Sequence, residues 1–542
     1  MTETPETEPE NAPDPEPAEG RRLGPLLFAM GALVVVAIVI TVAVVVVASL
    51  DGGDDGDGGF DAERIAGIAL SGDASDPFQW EADRGADFSD RATLAYSHIL
   101  YEKSPGGIVA SARRTARWRP LIEKAAAAHG VDPDVMEAMV LLESAGRPDV
   151  IAGSSADDAA GLAQIVGSTG VDLLDMDIDL PRSREITRQL ARNAGAIERA
   201  QEDAKSKKPK VRAQALLKLK RLAREQQRLT RERREIDARF RPEDALDGMA
   251  TYLQLSDRRF GDPDLATVSY HMGIGNLETA IGDYLGVDAS GGAVGGLVAD
   301  EDMDYPRLFF DSSPLEHAEA WDLLSSLGDD SSTYLWRVRA AQRIMDLYRN
   351  DPDELDRLAR LQGAKSTQEE VFHPESSTEV FADAAAIQQA TDDGELVPIP
   401  TGGDYGYRIS KDLGELAPNF GVEPSLYRAL RPEALATLIY MTEKVREING
   451  GEGKLTVSSA VRDQEYQDQL VGVNSEATPN YSLHTTGYAF DIPREYSSDS
   501  QAAAFQFVLD RLRALNVIDY AVEPSAIHVA VGPEAAALLP SE

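Results

Sequence analysis

Apolar residues are spread very unevenly along this chain. Residues 1–22 hold almost none: Pro alternates with Glu and Asp, and the stretch closes on Arg21 and Arg22. So little apolar surface cannot offset the entropy of ordering, so a disordered acidic tail is expected. Residues 23–50 are the reverse, an uncharged apolar run from Leu23 to Leu50. A bilayer-spanning helix needs about 20 such residues. A cleaved signal peptide is the competing reading, but it would have a basic leader and an apolar core of roughly 7–15 residues. Here the leader is acidic and the run longer, so a single transmembrane helix is expected. Arg21 and Arg22 flank its N-terminal side, and no Lys or Arg follows before Arg64. The positive-inside rule then makes the tail cytoplasmic and everything beyond Asp51 extracytoplasmic, giving a single-pass protein of the cell membrane. Residues 51–62, rich in Gly and Asp, fit a flexible tether.

From 63 to 350 the apolar spacing is mostly helical. In Pro120–Glu143, Leu121, Ala125, Val135, Met139 and Leu142 line one face, with Asp132-Pro133 as a helix-start signal. A different texture occupies about 184–240. Ala215, Leu222, Leu229 and Ile236 recur every seven residues amid Arg, Lys and Glu, and Ile186, Leu190 and Ile197 form a second stripe. Ser206-Lys-Lys-Pro209 separates the two, so a helical hairpin with coiled-coil-like packing is predicted. It is either a solvated protrusion or a docking arm for a protein partner. Residues 351–402 lose periodicity, gather Gln, Ser, Asp and Pro, and fit a linker. A second domain, 403–535, mixes predicted helices (432–448, 500–515) with short strand-like runs (454–458, 488–492, 527–531), an α+β pattern.

The length, 542 residues, supports more than one folded unit. A formal net charge of −39 argues against nucleic acid, which needs clustered Lys and Arg. The chain contains no Cys, which excludes disulfides, thiol nucleophiles and thiolate metal sites. Any metal must be held by Asp, Glu or one of seven His.

Four segments within 63–350 form one set. Leu142-Glu143-Ser144 ends the helix that Val131-Asp-Pro-Asp-Val opens. Then come Ala160-Gly-Leu-Ala163-Gln164-Ile165, the pair Tyr252-Leu253, and Ser269-Tyr270-His271-Met-Gly-Ile-Gly275-Asn276. In this order, with Tyr334-Leu-Trp-Arg-Val338 closing it, the set resembles the lytic transglycosylases of the soluble, goose-lysozyme-like type. The resemblance implies a lysozyme-like, mainly α domain that cleaves the MurNAc–GlcNAc bond of peptidoglycan without a cofactor. Glu143 would be the only catalytic carboxylate. It would protonate the leaving oxygen and then take the proton of the sugar's 6-hydroxyl, giving 1,6-anhydro products. An acid of this kind needs a raised pKa, and Val140-Leu141-Leu142 offers the apolar wall. Ser144, Gln164, Tyr270, His271 and Tyr334 would bind or orient substrate. Ala163 and His271 stand where the family usually carries Met and Asn.

In the second domain, Val457-Ser-Ser-Ala-Val-Arg462 precedes Ser482-Leu-His484-Thr-Thr-Gly487-Tyr-Ala489-Phe-Asp491, and Ala526-Ile-His528 follows. These frames resemble the zinc D-Ala-D-Ala carboxypeptidases (LAS peptidases). The resemblance implies Zn²⁺ held by His484, Asp491 and His528, with Arg462 on the substrate. Two His and one carboxylate leave one open position, a normal catalytic zinc set. The family's general base lies three residues before the last His, which here is Ser525. Glu523 is the nearest carboxylate and the candidate base. The module would cut stem peptides, or only bind them.

Together these expectations describe a multidomain chain. It would have one transmembrane helix, a mainly α lysozyme-like domain with an inserted helical hairpin, and a small α+β zinc-peptidase-like domain. The alternative is a wall-binding scaffold in which both folds grip peptidoglycan without cutting it well. Lysozyme-like hydrolysis is a third reading, separable by product analysis.

Overall fold

Three helix starts in this chain are set by Asp-Pro pairs. Asp132, Asp262 and Asp351 each precede a Pro at the first helical position. Each side chain accepts a backbone N–H of the first turn, from Asp134, Leu265 and Glu354 respectively. The Pro loses nothing there, because its missing N–H has no partner inside a first turn. The structure, a computed structural model, describes residues 76–539 except 291, 293, 329, 402–404 and 475–477.

The helical half runs from Gly85–Ala95 to Tyr334–Asn350. Pro133–Ser144 packs between Arg119–His129 and Tyr334–Asn350, burying Met136, Met139 and Val140 against Leu162, Leu246, Met249 and Val338. The predicted hairpin is present as Leu180–Ala204 and Pro209–Ile236. Its seam buries Ile186, Leu190, Ala215 and Leu229, and Asn193 crosses it to donate to Leu222 O and Gln226 Oε1 at 3.0 and 2.7 Å.

In the C-terminal part, helices Pro432–Ile448 and Asp499–Ala514 pack together. Beside them lies an antiparallel sheet ordered Ala489–Pro493, Ala526–Val531, Ile518–Val522. Its register sets Asp491 directly opposite His528. Tyr407–Ile409 pairs in parallel with Leu455–Val457, and Val397–Pro398 pairs with Ala429–Leu430. The strand Ile518–Val522 was not predicted.

Two expectations are corrected here. The first is the membrane span. Among the described residues no helix is long and apolar enough to cross a membrane. Their longest helices, Leu180–Ala204 and Pro209–Ile236, are dense with Arg, Lys and Glu. Residues 23–50, where the span was expected, lie outside the described residues. Among the described residues the fold is mainly helical without a spanning element, and this corrects the expected transmembrane helix and the single-pass, extracytoplasmic localisation derived from it.

The second is the linker. Residues 351–402 carry helices Pro352–Gln362, Glu369–Phe372 and Ala384–Asp392 and the strand Val397–Pro398. Leu355, Phe372, Phe381, Ile387, Leu396 and Val397 are buried. One apolar core continues from Phe88 and Trp336 through Phe310 to Leu435, Phe505 and Val529. Arg511 adds polar ties, donating to the carbonyls of Phe309 (3.0 Å), Ser312 (2.7 Å) and Phe310. Apolar burial decides the outcome: a segment that supplies six core side chains is held in place by them.

Candidate functional site

Glu143 sits on the last turn of Pro133–Ser144. The helix ends because Ala145 and Gly146 both take positive φ, 52° and 70°. A Cβ at Gly146 would stand 2.5 Å from Thr115 N, so the chain passes a neighbouring backbone too closely for a larger residue. Trp118 Nε1 and Arg114 Nε then donate to the carbonyls of Gly146 (2.9 Å) and Ala145 (3.0 Å), fixing the turn behind Glu143.

Tyr334 donates its hydroxyl to Glu143 Oε1 at 2.6 Å. Burial pushes the Glu143 carboxyl up to about 7, and the Tyr334 bond, which favours the charged form, does not cancel that. Burial first, and the charge of Glu143 second, push the Tyr270 and Tyr334 phenols well above their ordinary range, so both remain donors. Tyr270 donates to Ala163 O at 2.7 Å and packs edge-on against Tyr252. His271 stacks on the Tyr334 ring at 5.0 Å, with Nδ1 2.8 Å from Ser331 Oγ. Thus Glu143, Tyr270, His271 and Tyr334 come together.

Gln164 lies on the adjoining turn at φ 48°, its Nε2 donating to Gly161 O at 2.7 Å. Ser144 is different. It is buried and donates to Val140 O of its own helix at 3.1 Å, so its hydroxyl is committed to the helix rather than to substrate.

Sequence reasoning missed what holds the Gln164 turn. Arg239, fully buried at the hairpin root, donates to the carbonyls of Ala156 (2.7 Å), Asp158 (3.2 Å) and Ile165 (3.2 Å) and pairs with Asp237 at 2.7 Å. Asp237 in turn accepts from Ser183 Oγ at 2.6 Å. The signal was the pair Asp237 and Arg239 directly after the heptad stripe, masked by the charge density around it.

The second constellation assembles on the C-terminal sheet. His484 occupies the turn Leu483–Thr486, which closes on Gly487 at φ 83°. A Cβ there would meet Leu396 at 2.7 Å. His484 Nδ1 lies 2.8 Å from Ala460 O, so that nitrogen carries the proton and Nε2 presents its lone pair inward. Nε2 is 3.1 Å from Asp491 Oδ1 and 3.2 Å from His528 Nδ1, and His528 Nδ1 is 3.0 Å from Asp491 Oδ1. Ligand bonds of about 2.0–2.1 Å in a tetrahedron set donor atoms about 3.3 Å apart. The three donors therefore fit one metal ion with little movement.

Arg462 donates to Asp491 Oδ2 (3.2 Å), Ser459 Oγ (2.6 Å) and Gln467 Oε1 (3.0 Å). Burial alone would raise Asp491, but His484 and His528 outweigh it and hold its carboxyl well below the usual range. Burial would likewise lower His528, but its bonds to Asp491 and Glu369 outweigh that and carry it up to about 10. His484 is shifted the other way: burial first, and the Arg462 charge second, push its imidazole down, so it stays neutral beside the charged pair.

The site opens on a cleft of about 1250 Å³ that also takes in Arg462, Tyr481, Glu523 and Ser525. Glu523 lies near enough for its charge to act on Arg462. Glu369, which sequence reasoning did not select, touches the His484–Asp491–His528 cluster from the segment read as linker. Its Oε1 is 2.6 Å from His528 Nε2.

The chain matches no protein-family profile. It is similar over 69 residues, at 38% identity, to proteins titled endo-type membrane-bound lytic murein transglycosylase A from Salmonella paratyphi B, Salmonella enteritidis and Salmonella typhimurium. The likeness covers 13% of this chain and 32% of each relative, so it spans about a third of their length.

Proposed function

We propose that this chain is a peptidoglycan lytic transglycosylase with Glu143 as its single acid/base. The observation that carries the reading is a carboxyl pushed up to about 7 at a helix end and bonded to a Tyr hydroxyl. The local likeness to lytic murein transglycosylases supports the same class of activity.

With a pKa near 7, Glu143 is protonated often enough at neutral pH to donate to the leaving glycosidic oxygen. The resulting carboxylate, stabilised by the Tyr334 hydroxyl, then accepts the proton of the sugar's own 6-hydroxyl, and that oxygen closes on the anomeric carbon. No second carboxylate and no water are needed. Gln164, Tyr270 and His271 line the approach. Digestion of purified peptidoglycan by the full chain tests the reading. Soluble muropeptides are expected, and an intact wall after prolonged incubation would refute it.

The C-terminal cleft supports an accessory role on stem peptides. His484, Asp491 and His528 are the residues that would hold zinc, which when bound supplies a Lewis acid for a peptide carbonyl and an activated water. Arg462 is positioned by Asp491, Ser459 and Gln467 to meet a peptide carbonyl or carboxylate, and Glu523 is the carboxylate offered as base. Ser525 at the usual base position favours a second reading for this module alone, in which it binds stem peptides without cleaving them.

A further inference from the structure

His528 is gripped from both sides. Its Nδ1 faces His484 and Asp491, and its Nε2 meets Glu369 Oε1 at 2.6 Å. Glu369 is buried, 6% exposed, so water does not compete for this bond. Its other oxygen is held by Lys365 Nζ at 2.6 Å, from four residues earlier in the chain. Lys365 also donates to Tyr481 O at 2.5 Å, three residues before His484. The Lys365–Glu369 pair thus ties together the two segments that carry the His residues: Glu369 reaches the strand Ala526–Val531, and Lys365 the loop entering Leu483–Thr486. The neighbouring backbone is fixed as well, since Gln368 N donates to buried Asp519 Oδ2 at 2.8 Å and His373 Nε2 lies 2.8 Å from Val531 O.

We propose that Glu369 is a positioning residue of the metal site, and that residues 365–373, between the two modules, are a working part of that site. The inference rests on the metal-binding reading of His484, Asp491 and His528. A metal-bound imidazole needs its other nitrogen to carry the proton, and a carboxylate accepting that N–H fixes both the tautomer and the ring plane. Glu369 does this for His528, leaving Nδ1 as the ligand atom, as Ala460 O does for His484. The site is therefore incomplete in any fragment that starts at the second domain's apparent boundary.

The test is zinc affinity of the full chain, by competition with a chelator of known strength, for wild type, Glu369→Gln and Glu369→Ala. Loss of such an outer carboxylate weakens metal binding by about 10- to 100-fold. That loss is expected for Glu369→Ala. A smaller loss is expected for Glu369→Gln, which keeps an acceptor oxygen, with peptidoglycan solubilisation by the other site unchanged as a control for folding. If Glu369→Ala lowers the metal-free melting temperature, the isosteric Glu369→Gln decides. Wild-type zinc affinity in both variants would overturn the proposal and leave the metal reading standing. No zinc binding by the wild type would overturn both.

Discussion

Two carboxylates, Glu143 and Asp491, are enclosed by this fold and driven in opposite directions. Glu143 meets one Tyr hydroxyl, and burial pushes it up to about 7. Asp491 meets two imidazoles and a guanidinium, and the imidazoles outweigh its burial and keep it ionised. Enclosure alone therefore assigns no role. The donors and charges admitted alongside decide whether a carboxylate stores a proton or anchors a cation. The same rule separates the proposed chemistries: proton transfer in one cleft, metal binding in the other.

The largest effect is expected of Glu143→Gln. The amide keeps the shape and cannot shuttle a proton, so muropeptide release should fall by about 100- to 10,000-fold, the usual worth of a general acid. Release within a few-fold of wild type would remove Glu143 from its role. On the other side, His484→Ala should weaken zinc binding more than about 100-fold, because losing a ligand costs more than losing an outer partner. Metal analysis of the full chain checks this, and an unchanged zinc content would dissolve the site.

Tyr334→Phe should have a smaller effect. It removes the donor that favours ionised Glu143, so the carboxyl should rise further. The alkaline limb of the pH–rate profile, expected near pH 7 in wild type, should then move up by about one pH unit. A limb that stays put would mean that Glu143 does not control it.

The smallest effect is on stability. Glu143 titrates at about 7 in the fold against a model-compound value of 4.5. The stability linked to its proton is thus complete below about pH 4.5 and is lost as pH rises through 7. Glu143→Gln escapes that loss. Its melting temperature should gain on wild type between pH 5 and pH 8, by an amount worth about 1 kcal/mol once the group's partial exposure is allowed for. A constant gap across that range would contradict the raised pKa.

Much of the site was legible because its residues are close in sequence. Asp132-Pro133 marks the Glu143 helix, the seven-residue stripe marks the hairpin, and the frame from Ser482 to Asp491 puts two of the three clustered residues, His484 and Asp491, on one turn and strand. What escaped depends on partners far along the chain. Glu369 meets His528 across 159 positions, from a segment whose lack of periodicity suggested a linker. Its apolar residues fill a shared core singly rather than forming a stripe of their own, so pattern reading could not see them. The Ser144 hydroxyl has a local partner the sequence did not show: at a helix end it donates to the carbonyl four residues back, that of Val140.

In the proposed reaction one carboxyl acts first as acid and then as base, with the sugar's own hydroxyl as nucleophile. Digestion of peptidoglycan in heavy-oxygen water, with products identified by mass, separates this from attack by water. Ring closure by the 6-hydroxyl should give 1,6-anhydro ends carrying no solvent oxygen. Reducing ends labelled with solvent oxygen would show attack by water and contradict it.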